Sequence, residues 1–189
     1  MATFGVIISC TIGFTVGTLC FQNKQTTNFM LGVCDIFQTF PSFVYLIPVM
    51  MLFGVTDTSV LIAVVVYATI PATRYTIEGL RSVPSALHDA GSMSGVTKIQ
   101  RLMKIEFPLA FPHMMLGLNQ TIVFALFMVI IGAFIGTEDL GQYILKALSD
   151  KNGAGIGLTL GLCVAFIGLI FDNLIRTWVD QRKKHLGID

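Results

Sequence analysis

The chain has 189 residues, 54% of them hydrophobic and only 12% charged, with a mean hydropathy of +0.78. Soluble globular domains carry about a quarter charged residues, so this composition predicts an integral membrane protein. The net charge of +1 supplies no basic field for nucleic acid.

Five apolar blocks are long enough to cross a bilayer at roughly 20 residues each. The first, 2-ATFGVIISCTIGFTVGTLCF-21, is uncharged, and its Gly5, Gly13 and Gly17 allow close helix contacts. The second, 36-IFQTFPSFVYLIPVMMLFG-54, holds Pro41 and Pro48. The third, 59-SVLIAVVVYATIPATRYTI-77, is expected to be cut by Pro71 and to close on Arg74. The fourth is 113-HMMLGLNQTIVFALFMVIIGAFIG-136. A short surface helix follows within 137–155, with Leu140, Tyr143, Ile144 and Leu148 on one face. The fifth, 154-AGIGLTLGLCVAFIGLIFDNLI-175, ends near Asp172, which the spacing pairs with Arg176. The expected fold is therefore an all-α bundle of about five transmembrane helices forming one domain over residues 1–189.

Cys10, Cys20, Cys34 and Cys163 form no C-x-x-C pair and read as small hydrophobes. His88, His113 and His185 are too scattered to suggest metal or haem ligands.

The cations set the topology. Lys24 falls between spans one and two. Arg74, Arg81, Lys98, Arg101 and Lys104 fall between three and four, and Arg176, Arg182, Lys183 and Lys184 follow span five. Only Lys146 and Lys151 lie on the other side. The N-terminus is thus expected outside, the C-terminus in the cytoplasm, and the polar stretch around 82–108 in the cytoplasm.

That stretch has its own punctuation. Ser82, ahead of Val83 and Pro84, is a candidate N-cap for a short helix running to about Ala90. Gly91 and Gly95 supply breaks or close approaches. Thr97 is placed to cap a second helix, with Ile99, Leu102, Met103 and Phe107 as its apolar stripe opposite Lys98, Arg101 and Lys104. Pro108 is expected to end it and Pro112 to lead into span four. An amphipathic surface helix accounts for the second half, whereas small residues beside a sharp glycine turn suit docking of another protein.

Asp89, Ala90 and Gly91, three residues, Gly95, nine residues, then Ile105, Glu106, Phe107 and Pro108 resemble the EAA loop of permeases from binding-protein-dependent ABC importers. The spacing matches that family's pattern of Glu-Ala-Ala, Gly and Ile-x-Leu-Pro throughout. Asp89 replaces the Glu, Gly91 the second Ala and Phe107 the Leu; Gly91 costs the helix about 1 kcal/mol against Ala. Blocks 36–54, 117–136 and 139–148, the last with Leu140, Gly141 and Gln142, are similar to the glycine betaine, proline and choline branch. Amino-acid and methionine importers share that architecture. Family members often carry extra N-terminal helices, so the chain is expected to be either a minimal five-span version or a truncated one.

The resemblance implies a type I importer permease in the bacterial inner membrane. Two permease copies, as a homodimer, would line one path through the lipid. A dimer of ATPase subunits would dock on the loops, and an extracytoplasmic binding protein would deliver the solute. ATP and Mg would be bound by the ATPase, since this chain has no G-x-x-x-x-G-K-[ST] loop. Asp89, Ala90, Gly91 and Gly95 would form the docking surface, and Ile105 and Pro108 would fix the departure of span four. This chain would be a transport subunit and not an enzyme. Path candidates are the polar and aromatic positions within spans: Gln38, Thr39, Phe40, Ser42, Tyr45, Asn119, Gln120 and Thr121. Phe37, Phe40, Phe43 and Tyr45 are candidate cation–π surfaces for a quaternary ammonium group.

The rival reading, an ion-coupled secondary transporter, calls for carboxylates within the membrane. Asp35, Asp57, Glu78, Asp89, Glu106, Glu138, Asp139, Asp150 and Asp172 are expected at span ends or in loops.

Overall fold

The computed structural model describes residues 2–134, 140–150 and 153–186. Among them every regular element is helical, as the composition predicts: α1 (Ala2–Phe21), α2 (Lys24–Thr39), α3 (Phe43–Phe53), α4 (Asp57–Arg81), α5 (Ser85–Met93), α6 (Lys98–Arg101), α7 (Phe107–Phe134), α8 (Leu140–Ser149) and α9 (Ala154–Leu186). A π-helical turn, Leu102–Glu106, joins α6 to α7. Four helical runs are long and apolar enough to cross a membrane; the pair α2 and α3 makes a fifth if its bent halves count as one.

The core forms around α4, which packs against α1 on one side and α7 on another. Small residues make this possible. A Cβ on Gly13 would stand 2.4 Å from the Ala72 Cβ and 2.9 Å from the Thr73 amide nitrogen, so α1 and α4 touch backbone to backbone. Gly5 meets Val64 and Gly17 meets Thr76 in the same seam. Gly79 and Gly117 seat α7 on α4 in the same manner, against His113 and Tyr75. The Ser9 hydroxyl donates to the Val65 carbonyl across the first seam at 3.3 Å.

Several boundaries differ from expectation. Pro71 does not cut α4, which runs unbroken from Asp57 to Arg81. Proline costs a spanning helix one hydrogen bond, and packing on both flanks holds the rest in register. The second span is not one helix over 36–54: α2 starts at Lys24 and meets α3 at 86°. Asn23 caps α2, accepting from the Gln25 amide, and Pro41 sits at the break. The Tyr45 hydroxyl donates to the Phe37 carbonyl at the end of α2, which fixes the corner. Pro108 does not end a helix either. It lies in the first turn of α7, and α6, the π-turn and α7 continue as one run, Lys98–Ala133. In the π-turn the Phe107 amide donates to the Leu102 carbonyl, five residues back. That wider turn gives the Pro108 ring room ahead of it.

α9 extends past its expected end at 175 to Leu186. It meets α7 through the Trp178 ring, edge-on to Phe111 at 5.4 Å, and buries Val179 beside it, while most of its apolar side chains before Trp178 are exposed. The surface helix expected within 137–155 is α8, with Tyr143 exposed and Ile144 half-buried; residues 137–139, 151 and 152 and the side chains of Leu140 and Leu148 lie outside the described residues.

Candidate functional site

The loop is built from α5, a glycine turn and α6. Ser82 is not the N-cap of α5; it closes α4, its amide donating to the Glu78 and Gly79 carbonyls and its hydroxyl to Gly79. Serine satisfies orphan groups at either helix end, and here the preceding helix takes it. α5 then runs to Met93, past Ala90. Gly95 turns the chain with φ +71, a left-handed conformation that non-glycine residues seldom adopt, and nothing lies within 4 Å of where its Cβ would be. Thr97 caps α6 as expected, with a reciprocal capping box: its hydroxyl accepts from the Gln100 amide while the Gln100 side chain accepts from Thr97.

The motif residues divide by direction. Asp89 and Ala90 are exposed on α5. Gly91 is buried, its absent Cβ replaced by contact with Ile105 at 3.1 Å and the Arg101 stem at 3.3 Å. The departure from alanine at Gly91 therefore brings α5 close against Ile105. The expected apolar stripe splits: Leu102 and Phe107 pack beneath the loop, while Ile99 and Met103 face outward at 74% and 62% exposure. The π-turn shifts the helical register between the two halves.

The same turn explains a buried acid. Glu106 is 3% exposed and accepts from Arg101 Nε at 2.8 Å. Residues five apart do not face each other on an α-helix, where partners are three or four apart. Here the π-turn brings them together.

The path candidates also divide. Consecutive helical positions point about 100° apart, and α7 sends Asn119, Gln120 and Thr121 three ways. Asn119 is buried and donates to Asp172 on α9, leaving its Oδ1 without a partner. Asp172 in turn accepts from Arg176 at 2.9 Å, as the spacing predicted. The Thr121 hydroxyl, fully buried, donates to the Gly117 carbonyl at 2.8 Å and lies by Cys10 of α1. Both positions hold helices together. Only Gln120 reaches open space.

That space is a cavity of about 350 Å³ between α2, α4 and α7, lined by Gln38, Arg74, Tyr75, Glu78, Gln120 and Phe124. Of the expected path residues it gathers Gln38 and Gln120. Thr39 donates to the Ile36 carbonyl at 2.7 Å and Ser42 starts α3 without capping it, so neither joins the cavity. Phe40 and Tyr45 belong to a chain of rings leading toward it. Phe40 meets Phe37 at 5.9 Å, Phe37 meets Tyr45 at 6.1 Å, Tyr45 meets Tyr67 at 5.1 Å and Tyr67 stacks on Phe124 at 4.6 Å. Phe43 takes no part in that chain and is 46% exposed.

Sequence reasoning missed the charged members. Arg74 is no topology marker at the end of a span. It lies seven residues inside α4, about 10 Å from its end. Its Nε donates to Glu78 at 2.9 Å, and its Nη1 donates to Asp35 and, at 3.0 Å, to Gln38 of α2. Asp35 and Glu78 sit about one turn from the ends of α2 and α4, near the span ends expected of them, while Asp172 lies well inside α9. The Arg74 to Glu78 spacing of four was a readable signal; the partner 39 residues away was not.

The model of the binding-protein-dependent transport system inner membrane component family matches residues 9–185. The chain belongs to that family. It is 90% identical over 188 residues to the trimethylamine N-oxide transport system permease protein TmoV of Pelagibacter ubique, covering 100% of this chain and 26% of the relative. The Ruegeria pomeroyi TmoV is 46% identical over 97% of this chain and 28% of its own. The Bacillus subtilis glycine betaine permease OpuAB is 32% identical over 96% of this chain and 64% of its own. The chain thus spans about a quarter of the length of the two trimethylamine N-oxide permeases. In fold it resembles an inward-facing crystal form of the methionine ABC transporter MetNI, with TM-score 0.83 and 18% identity over 96% of this chain and 91% of that one. The family is one of transport components of the membrane, not of enzymes, as the sequence led us to expect.

Proposed function

We propose that this chain is the permease of an ATP-driven importer for small methylated ammonium solutes, with trimethylamine N-oxide first and glycine betaine second. The observation that carries the reading is the family match over residues 9–185, joined to 90% identity with a permease named for trimethylamine N-oxide. Choline and proline, which the sequence resemblance also implied, rank behind these two.

In this reading two permease copies enclose the path, an ATPase pair docks on the cytoplasmic loops, and an external binding protein supplies the solute. ATP and Mg belong to the ATPase. With Arg74 set aside, the split of the remaining cations, nine against two, supports an outside N-terminus and a cytoplasmic C-terminus. Asp89 and Ala90 present the docking face; Gly91 against Ile105 ties α5 to the π-turn; and the unbroken run into α7 carries displacement of the loop toward the bundle. Rigid-body motion needs such tight coupling, because a loosely held α5 would slide and leave α7 in place.

The test is reconstitution of the full-length protein with its ATPase and binding protein in liposomes. ATP-dependent uptake of labelled trimethylamine N-oxide and betaine is expected. Uptake that persists without the ATPase would overturn the mechanism, and uptake of methionine alone would overturn the solute class.

A further inference from the structure

We propose that the cavity between α2, α4 and α7 is a solute site on the permease itself, one that takes the cationic head of a methylated ammonium compound. The proposal rests on the importer reading for its solute class and adds a binding site of the permease's own to it. Four observations carry it.

The first is size. About 350 Å³ lies at the lower end of small-ligand pockets, which suits a solute of a few heavy atoms. The second is charge. Arg74 is bonded to two carboxylates, Glu78 in the cavity wall and Asp35 beside it, so the cluster carries a net charge of −1 and favours a cation. The third is the aromatic part of the wall. Phe124 and Tyr75 line the space, and ring faces attract quaternary ammonium groups that make no hydrogen bonds. The fourth is the polar supply. Gln38 is anchored by Arg74, whereas Gln120 makes none of the hydrogen bonds that tie down its neighbours Asn119 and Thr121. Its amide is left to the cavity. Charged groups carried on α4, a helix apolar enough to cross a membrane, are uncommon as mere packing, and ionisable residues within such helices mark functional sites.

The test uses the complete permease and ATPase complex in nanodiscs, without binding protein. Saturation-transfer NMR measures binding of trimethylamine N-oxide, with tetramethylammonium, tert-butanol and acetate as competitors. Tetramethylammonium should displace the solute; tert-butanol and acetate should not. Gln120→Leu and Phe124→Leu should each weaken binding about tenfold, Glu78→Gln more, and Cys163→Ser on the outer face of α9 not at all. Gln120→Leu disturbs no ion pair, so it stays readable if Glu78→Gln fails to assemble. The absence of saturable binding, equal competition by tert-butanol, or unchanged binding in the Gln120 and Phe124 variants would overturn the site. ATP-driven uptake is measured in parallel. No uptake by the wild type overturns the importer reading, whereas wild-type uptake in the cavity variants overturns only the solute site.

Discussion

α4 and α9 are both long apolar helices, and α9 holds the more apolar stretch of the two, yet only α4 is enclosed. More than half of α4's most apolar stretch is buried within the chain and none of α9's is. Inside a bilayer, apolar side chains gain nothing by leaving lipid for protein, so hydropathy does not sort the two. Small and hydroxyl residues do. The buried set of α4 includes Ser59, Ala63, Ala68, Ala72, Thr73, Thr76 and Gly79, while Gly155, Gly161 and Gly168 of α9 have nothing within 4 Å of their absent Cβ atoms.

One substitution made in both places breaks or sharpens this contrast. Gly13→Ala puts a methyl 2.4 Å from Ala72 and 2.9 Å from backbone, where no rotamer can relieve it. α1 must move off α4, at a cost of about 3 kcal/mol. For a domain of this size, thermal unfolding in detergent should show a drop of roughly 6–12 °C. An unchanged midpoint would mean that the α1 and α4 seam is not packed backbone to backbone.

The run that links α5 to α7 holds a second enclosed position. Glu106→Ala leaves Arg101 without the carboxylate it bonds at 2.8 Å, for about 2 kcal/mol. Because that pair depends on the π-turn, hydrogen exchange at 98–107 should rise in Glu106→Ala while exchange in α4 stays put. Uniform exchange across both helices would place the effect elsewhere. Gly95 is the loop's open counterpart. Its side has free space, and only its positive φ resists substitution, so Gly95→Ala should cost about 1 kcal/mol and loosen the turn without any clash. Pull-down of the proposed ATPase partner by Gly95→Ala should weaken modestly, and a complete loss would point to a direct contact at Gly95.

These positions also mark what was legible. The first span read as 2–21 is α1 to the residue, and the Thr97 cap was visible because a hydroxyl residue stood just ahead of an apolar stripe at helical spacing. The EAA-like spacing pointed to a loop that the fold shows at that place. Ser82 and Pro108 were misread through local partners, Glu78 and Gly79 in one case and the π-turn in the other, whereas the site residues failed where the deciding partner is far away in sequence. Lys24 was placed between spans one and two, yet it opens α2. Arg74 looked like a span end until Asp35 and Gln38 met it from α2. The triple Asn119, Gln120 and Thr121 read as one polar patch, because a list of residues carries no direction; the helix points them at α9, at the cavity and at α1.

The smallest expected effect is the most discriminating. Gly168→Ala adds the same methyl as Gly13→Ala but meets open space, so the chain loses no contact and its helix gains propensity. The stability of the isolated chain should change by no more than about 0.5 kcal/mol. If the proposed second copy packs against this face of α9, crosslinking yield between copies should fall while the monomer's melting point holds. If the melting point falls alone, α9 is enclosed by its own chain after all, and the contrast with α4 fails. The paired measurement therefore separates a face left bare for lipid or for a second copy from one that this fold covers itself.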